Sequence, residues 1–227
     1  MSSAEPPTTL WQRDEEIKRG PRPSFTLDDI ADNCVRIADA DGLSALSMRR
    51  VGDRLGTGAA SLYRYVSGKQ DLISLMCDRV AAESGFAPLT GDIRTDVHAS
   101  AGRARDTHRG HPWLGLVTPE RIGPNAIRYL DHMAGALAPA GLTPAATMMG
   151  VAMITGWIKS FAAQENSAAA GATVGVTGAD LATLLPLGNY PHLSQLFTDR
   201  FPDDPVDNDT SFRTGIDTLL FGIAPAR

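Results

Sequence analysis

Cations and phenols crowd into residues 47–69, and these are the side chains best suited to bind an anionic partner. The stretch reads SMRRVGDRLGTGAASLYRYVSGK and carries five Lys or Arg against one Asp, a net charge of +4, whereas the whole chain is formally −5. Guanidinium, ammonium and phenol groups donate to phosphate, and arginine also pairs with guanine. A positive segment on a negative protein therefore indicates a local phosphate-binding surface.

Two short helices around a tight turn are predicted to hold these side chains in place. Val51 and Leu55 lie on the buried face of the first helix, and Gly56 follows where a left-handed residue ends a helix. Leu62 and Val66 mark the buried side of the second helix. The side chains predicted on or near its outward side are Ser61, Tyr63, Arg64 and Tyr65. Helix, glycine turn and helix are typical of a motif whose second helix enters the major groove.

An ordered pattern, L-G-x-x-x-x-[ST]-L-Y-x-[YH]-V-x-x-K, runs from Leu55 to Lys69. With its flanks it resembles the DNA-binding module of the tetracycline-repressor (TetR) family. The resemblance covers residues 26–85 well and continues weakly at 86–89, 111–114 and 123–131. It implies an all-α fold, with an N-terminal three-helix helix-turn-helix head and a larger helical domain for ligand binding and dimerisation. The partners it implies are a double-stranded DNA operator, a small-molecule effector and a second copy of the chain.

The resemblance also suggests which residues contact DNA. Tyr63, Tyr65 and Lys69 match family positions that mainly contact phosphate, and Lys69 begins a helix whose free N–H groups add anion affinity. Arg49 and Arg64 are the best candidates for guanine contacts. The smaller candidates are Ser47, Met48, Ala59, Ala60 and Ser61. Two alternatives stay open, in which Tyr63 is partly core and Ser47 is only a helix cap.

Other basic residues near the motif have two interpretations. Arg50 and Arg54 are expected to be solvated. Lys18, Arg19 and Arg22 precede the first helix and form either a solvated tail or an arm that enters the adjacent minor groove.

Composition and turn signals divide the chain into three segments. Residues 1–25 are predicted to be a flexible basic arm, 26–85 the DNA-binding head, and 86–227 the helical effector-binding and dimerisation body. Helix starts are predicted at Thr26, at Ser47 and at Thr143, each an N-cap residue, the last followed by proline. Another is predicted at the Ser67–Gln70 capping box.

The helix predicted over residues 144–165 is apolar on several sides, so one side is expected to pack on its own domain and another on a second subunit. The final amphipathic helix contains Phe212 and Ile223, and the resemblance implies a dimer interface of four such helices. An apolar cavity in the body would suit a flat or hydrophobic molecule. Its candidate lining residues are Trp113, Leu116, Met133, Met149, Met153, Trp157 and Phe161, with ordinary core or interface packing as the alternative for each.

Catalytic and metal signatures are missing from the sequence. It contains no G-x-S-x-G elbow, P-loop or G-x-G-x-x-G, so we expect neither an enzyme nor a cofactor. His108 and His111 lack obvious further ligands, so no metal site is expected. The founding repressor binds a magnesium–drug chelate through a histidine after the head. The matching place here is near Gly85, and a later histidine-containing segment is replaced by GLVTPER, so that chelate is not the expected ligand.

Location and redox state follow from the remaining patterns. No signal peptide is recognised, and the apolar run near Met148–Ile158 is too short to span a bilayer, so we expect a cytoplasmic protein without a membrane partner. Cys34 and Cys77 are predicted to be buried free thiols.

The preferred prediction is a homodimeric regulator, most simply a repressor, that leaves a pseudo-palindromic operator when a small hydrophobic ligand binds its C-terminal domain. The alternative is an all-helical small-molecule-binding or enzymatic protein whose head mediates association only.

Overall fold

The computed structural model describes residues 10–12, 25–172, 178–196 and 207–223, and every regular element within them is helical. The α-helices are α1 (Leu27–Asp41), α2 (Met48–Arg54), α3 (Ala59–Leu62), α4 (Lys69–Ala81), α5 (Ile93–Gly110), α6 (Pro124–Leu137), α7 (Pro144–Ala169), α8 (Gly178–Leu184), α9 (Pro191–Leu196) and α10 (Asn208–Ile223). Short 3₁₀ turns cover Leu43–Ala45, Ala82–Ser84, Pro112–Leu116, Ala138–Ala140 and Leu185–Leu187. The predicted all-α fold is confirmed.

Side-chain caps start three helices where the sequence predicted them. The Thr26 hydroxyl accepts from the Asp29 N–H at 3.1 Å, and the Asp29 carboxylate accepts from the Thr26 N–H at 2.8 Å, which closes a capping box. Ser47 Oγ accepts from the Arg50 N–H at 3.2 Å. Thr143 Oγ1 likewise accepts from the Ala146 N–H at 3.3 Å, one residue before Pro144 begins α7.

The capping box predicted at Ser67 and Gln70 is wrong. Helix α4 begins at Lys69 after Gly68, and no side chain caps it. The Ser67 N–H instead donates to the buried Asp71 carboxylate at 2.7 Å. The helix therefore begins at Lys69, one residue later than an N-cap at Ser67 would place it.

The first cluster of buried apolar side chains forms the core of the helix-turn-helix region. It joins α1, α2, α3 and α4 through Ile30, Val51, Leu62 and Leu72, all of them inaccessible to solvent. Leu10, within the segment predicted to be flexible, is also buried in this cluster. A short helical stretch at residues 10–12 is therefore packed on the head, which the sequence did not predict.

The second cluster joins α5, α6, α7 and α10. A buried ion pair ties three of them together, since Arg105 on α5 makes two bonds to Glu165 on α7 at 2.6 and 2.9 Å and one to Asp209 on α10 at 2.8 Å. Burial acts to raise the pKa of Glu165, but hydrogen bonds from Arg105 and Arg109 outweigh it and lower the pKa to about 2. The pair is charged at neutral pH and fixes the register of α10 against α7.

Helix α7 ends at Ala169 rather than at the predicted Glu165. Asn166 Nδ2 donates to the His108 carbonyl at 2.8 Å, and this bond holds the added turn against the end of α5. Among the described helices none is by itself long and apolar enough to cross a membrane. The one combination that passes by length and composition, Pro124–Ala140 with Pro144–Ala169, is bent by 119°.

Glycines fix the turn between α2 and α3. Gly56 has φ 69°, so it ends α2 in the left-handed conformation that the sequence predicted. At Gly52 a Cβ would lie 2.9 Å from the Thr57 carbonyl oxygen and 3.1 Å from the Ala59 nitrogen. Both atoms belong to the backbone and cannot rotate away, so the two helices approach this closely only over a glycine.

Replacing Gly52 with alanine should destabilise the protein by about 1–3 kcal/mol, because the turn must move to admit the methyl group. Thermal unfolding measures this effect. Gly102→Ala is the control, since Gly102 lies inside α5 with open space around its Cβ position, and it should raise stability by roughly 0.5–1 kcal/mol. Equal unfolding temperatures for the two variants would contradict the close approach.

Candidate nucleic-acid interface

The helix-turn-helix exposes several of the predicted DNA-contact residues. The Arg49 side chain is 90% exposed, and its Nε lies 3.9 Å from the carboxylate of Asp53, which is 70% exposed, one turn along α2. Tyr63 is 60% exposed, which settles its orientation in favour of the outward placement. Arg64 is exposed, and within the described ranges no hydrogen bond or ion pair to its side chain occurs. These side chains are free to meet a ligand without first breaking strong internal contacts.

The outward placement of Tyr65 is wrong. Tyr65 is 4% exposed, and its ring packs on Phe25 with centroids 4.6 Å apart. Helix α3 ends at Leu62, and a tighter turn follows in which the Tyr65 N–H donates to the Leu62 carbonyl at 2.9 Å. Helical spacing therefore stops applying after Leu62, and this turn carries Tyr65 into the core.

The start of α4 offers a place for a phosphate. Lys69 is the first residue of the helix, and because no side chain caps Gly68, N–H groups of the first turn are open to an anion. The Lys69 ammonium lies 3.5 Å from the Leu43 carbonyl and is exposed, so it can swing to a phosphate at little cost. The negative charge of Asp71 opposes phosphate binding near Lys69. Its carboxylate is held inward, however, by the Ser67 N–H and by Arg121 Nε at 3.3 Å.

Arg50 and Arg54 are less free than the sequence predicted. Arg50 pairs with Asp41 at the end of α1. Arg54 Nε donates to Asn33 Oδ1 on α1 at 3.4 Å. Both guanidinium groups brace α2 against α1 at the surface, so they position the motif as well as adding positive charge.

The smaller candidates occupy the positions expected of them in the motif. Ser47 is the N-cap of α2, Met48 its first residue, and Ala59 the first residue of α3, where Ala60 and Ser61 follow. Because the Ser47 oxygen accepts the Arg50 N–H, its hydroxyl proton remains available to an outside acceptor. Lys18, Arg19 and Arg22 lie outside the described residues.

The seven residues predicted to line an effector pocket have different surroundings in the described part of the chain. Met133 is fully buried in the second cluster. Met149 and Met153 are 63% and 45% exposed. Trp157 and Phe161 pack between α7 and α10, where the Trp157 indole donates to the Phe212 carbonyl at 3.2 Å.

Trp113 and Leu116 lie elsewhere, at the junction between the head and the body. Trp113 belongs to the first cluster, whereas Leu116 is 78% exposed, and both line a cavity beside the end of α1. One pocket shared by all seven residues therefore stays a prediction. Helix α7 is apolar on several faces, and composition alone does not say which face meets a cavity.

Sequence reasoning missed a polar cluster inside the body. His132 Nε2 on α6 lies 3.1 Å from the Ser100 hydroxyl on α5, and Arg103 Nη2 donates to the same oxygen at 3.4 Å. Within the described part of the chain, Arg103 Nε is buried without a hydrogen-bond partner. An available signal was the presence of Ser100 and Arg103 on a helix that also carries the buried Val97 and Ala101.

Sequence reasoning also missed the contact that joins head and body. His111 Nδ1 lies 2.8 Å from Asp39 on α1, and His111 Nε2 lies 2.9 Å from Glu83 after α4. Since carboxylates only accept, both bonds form together when both ring nitrogens carry protons, so this geometry stabilises the cationic form of His111. Trp113 Nε1 donates to the same Asp39 oxygen at 2.7 Å. Among the described residues, no group of three or more His, Cys, Asp or Glu side chains is arranged to hold a metal ion.

Neither cysteine is set up for redox chemistry. Burial raises the pKa of Cys34 to about 12 and that of Cys77 to about 11, so both are neutral thiols at physiological pH.

Two helices joined by a glycine turn, with exposed cations on the first and just after the second, define a helix-turn-helix DNA-binding protein. Residues 30–76 match the family model for bacterial regulatory proteins of the tetR family, and residues 87–226 match the model for the tetracyclin repressor-like C-terminal domain. The chain belongs to the TetR family of transcriptional regulators.

Named relatives agree with this assignment. The chain is 38% identical over 227 residues to the HTH-type transcriptional repressor DrrR1 of Streptomyces coeruleorubidus. This match covers 94% of this chain and 83% of that protein. An HTH-type transcriptional regulator of Saccharopolyspora erythraea is 31% identical, over 96% of this chain and 92% of that protein. Because these relatives are named as regulators rather than enzymes, the alternative of an enzyme or a mere binding protein is not favoured.

Solved structures give the same fold. The TetR family protein ActR of Streptomyces coelicolor, in complex with actinorhodin, superposes with a TM-score of 0.72 at 26% identity, covering 88% of this chain and 95% of that one. Its complex with (S)-DNPA gives a TM-score of 0.73, covering 89% and 98%.

Stability should depend on pH through His111. Burial acts to lower the pKa of His111, but its bonds to Asp39 and Glu83 outweigh it, so the pKa is raised. When the folded state raises the pKa of a histidine, the protonated ring stabilises the fold. This stabilisation is fully present below the unfolded pKa of about 6.5 and is lost as pH rises through the folded pKa. The free energy of unfolding of the wild type should therefore exceed that of His111→Gln by about 1–2 kcal/mol at pH 6. This difference should shrink toward pH 9.

Chemical denaturation from pH 6 to pH 9 measures this gap, and His108→Gln is the control. Burial lowers the pKa of His108. The stability of the wild type relative to His108→Gln should therefore increase as pH rises, which is the opposite trend. A gap for His111→Gln that stays constant across the range would contradict the charged bridge.

Proposed function

We propose that this protein is a homodimeric repressor that leaves a pseudo-palindromic DNA operator when a small hydrophobic molecule binds its body. The observation that carries the proposal is the helix-turn-helix with exposed Arg49, Tyr63, Arg64 and Lys69 on a chain whose net charge is negative. The three-segment division into residues 1–25, 26–85 and 86–227 belongs to the same proposal.

Base reading and phosphate binding are assigned to different side chains. Arg64, which has no strong contact within the described ranges, and Arg49 supply the guanine contacts. Tyr63 and Lys69 supply the phosphate contacts that fix the register of the head on the duplex. Ser47, Met48, Ala59, Ala60 and Ser61 lie close enough in sequence to contribute smaller contacts. A role for Tyr65 is supported least, because its side chain is packed on Phe25.

A second copy of the chain is proposed to pack on the outer faces of α7 and α10. Met149 and Met153 on α7 and Phe221 on α10 are large apolar side chains with 63%, 45% and 75% exposure. Ala152 and Gly156 lie exposed beside them, and α7 has no charged residue before Lys159. An apolar face of this kind with small residues between large ones favours close packing against another helix pair.

The effector is proposed to bind in the body, with Arg103, Ser100 and His132 as polar anchors among apolar walls. Support comes from the buried Arg103 Nε, which lacks a partner in the described ranges and would gain one from a ligand oxygen. Support also comes from the relative ActR, which was solved in complex with actinorhodin and with (S)-DNPA. A ligand that favours one body conformation would shift the spacing of the two heads.

Arg64→Ala should lower affinity for a selected operator and reduce the preference at one base pair per half-site by about 1–3 kcal/mol. Binding to a panel of single-base operator variants measures that preference. Arg213→Ala, which removes an exposed arginine from α10, is the control and should leave the preference intact. Unchanged discrimination by Arg64→Ala would rule out base reading by this side chain.

Lys69→Ala should weaken binding to all DNA sequences to a similar extent. It should also reduce the slope of log affinity against log salt by roughly 1, because one phosphate contact releases about one counterion. A titration at several salt concentrations gives the slope. If the slope equals that of wild type, Lys69 makes no phosphate contact.

Met149→Glu combined with Met153→Glu should shift the protein from dimer to monomer, because two carboxylates would be buried in the apolar interface. Sedimentation velocity measures the change. Ile127→Glu is the control, since Ile127 is 54% exposed on α6, and it should remain dimeric. A dimer that survives the double substitution would place the interface on another surface.

A further inference from the structure

A cavity of about 360 Å³ lies where the head meets the body. Helix α1 and the turn after it contribute Asp39 and Leu43, the 112–116 turn contributes Trp113 and Leu116, and α7 contributes Asn166. This volume is within the range of small-molecule sites. The site is separate from the polar cluster of the body, which lies between α5 and α6.

The walls of this junction cavity are mainly apolar. Trp113 supplies a flat ring, and Leu116 is 78% exposed although it belongs to an ordered turn. Burying a leucine side chain is favourable by about 1.5–3 kcal/mol, so an exposed leucine in a concave site is a contact that a ligand can use.

Two polar side chains of the cavity, Asp39 and Asn166, offer hydrogen-bond acceptors, and the Ser167 hydroxyl can either donate or accept. Asp39 is the one ionisable residue among its described lining residues. The Oδ1 atom of Asp39 accepts hydrogen bonds from His111 Nδ1 and Trp113 Nε1. Within the described ranges no group donates to its Oδ2 atom. Asn166 donates through Nδ2 to the His108 carbonyl, so its Oδ1 is left as an acceptor. A complementary ligand therefore brings a hydrogen-bond donor.

Charge sharpens this requirement. Asp39 and Glu83 face His111, so the three groups together carry a net negative charge even when His111 is protonated. Lys159, the nearby lysine of α7, is already bonded to the Val117 carbonyl at 2.7 Å. We propose that the cavity binds a small amphipathic cation, with a flat apolar body between Trp113 and Leu116 and a protonated amine at Asp39.

Binding here would link the orientation of the head to the body, since both contribute walls. A ligand that fits only one relative orientation stabilises that orientation, and it then changes operator affinity by the same factor by which DNA changes ligand affinity. This last step rests on the proposed DNA-binding function, whereas the existence of the site does not.

Calorimetric titration of the full chain at pH 7.5 with three naphthalene probes tests the site. The probes are 1-naphthylmethylamine, the neutral 1-naphthylmethanol and the anionic 1-naphthylacetate. The amine should bind about tenfold more tightly than the alcohol, because a charge-assisted hydrogen bond replaces a neutral one. The acetate should bind most weakly. Equal affinities for amine and alcohol would overturn the proposal.

Two variants locate the binding. Asp39→Asn should abolish the preference for the amine, and Asp131→Asn, which removes an exposed carboxylate from α6, should preserve it. Ser167→Leu places a larger side chain in the cavity wall and should weaken amine and alcohol alike. Because Ser167 is outside the His111 network, this variant decides the matter even if Asp39→Asn does not fold. Full amine affinity in Ser167→Leu would overturn the proposal.

A final experiment tests the binding site and its regulatory role separately. The affinity of a selected DNA fragment is measured with and without saturating amine, and a change that matches the effect of DNA on amine binding supports the coupling. If the amine binds and DNA affinity does not change, the proposed coupling to DNA is overturned, whereas the binding site itself is supported. Absence of specific DNA binding would count against the proposed function alone.

Discussion

The close approach of Gly52 to the backbone of residues 57–59 is the contact on which DNA reading by this protein depends. Helix α3 has only four residues and has no stability of its own, so tertiary packing must fix its direction. The Thr57 N–H donates to the Gly52 carbonyl at 2.9 Å, and Val51 and Leu62 close the core beneath it. With this crossing fixed, Arg49 and Arg64 are held on a rigid motif, which is what selective pairing with base edges requires.

Directional polar contacts join the head to the body beside the apolar packing of Trp113 and Val117. The buried Asp78 on α4 accepts from the Ala126 N–H at 2.9 Å and from Asn125 at 3.2 Å, at the start of α6. His111 links Asp39 and Glu83 across the same junction. Contacts of this kind have defined geometry, so a shift in the body is transmitted to the head or breaks them. Such a junction suits a protein that must change the relative position of its parts on binding a ligand.

Local signals in the sequence predicted the all-α fold and the outward placement of Tyr63 and Arg64. Caps at Thr26 and Ser47 and the left-handed Gly56 are decided by residues a few positions apart, so the sequence contains the information needed to find them. Tyr65 was misplaced because the chain leaves helical geometry after Leu62, a change that depends on tertiary packing. The effector residues could not be assigned, because apolar side chains serve a core, an interface or a cavity with the same composition. The His111 bridge joins residues 28 and 72 positions apart, and no local pattern reveals such a contact.

The central claim is that one helix-turn-helix is presented twice, by a symmetric dimer, to one duplex. Selection of bound fragments from genomic DNA, followed by footprinting of the enriched site, tests this most directly. The account predicts an enriched sequence with two inverted half-sites whose centres are about one DNA turn apart or somewhat more, each protected by one subunit. Enrichment of an asymmetric single site, or no sequence preference at moderate ionic strength, would contradict it.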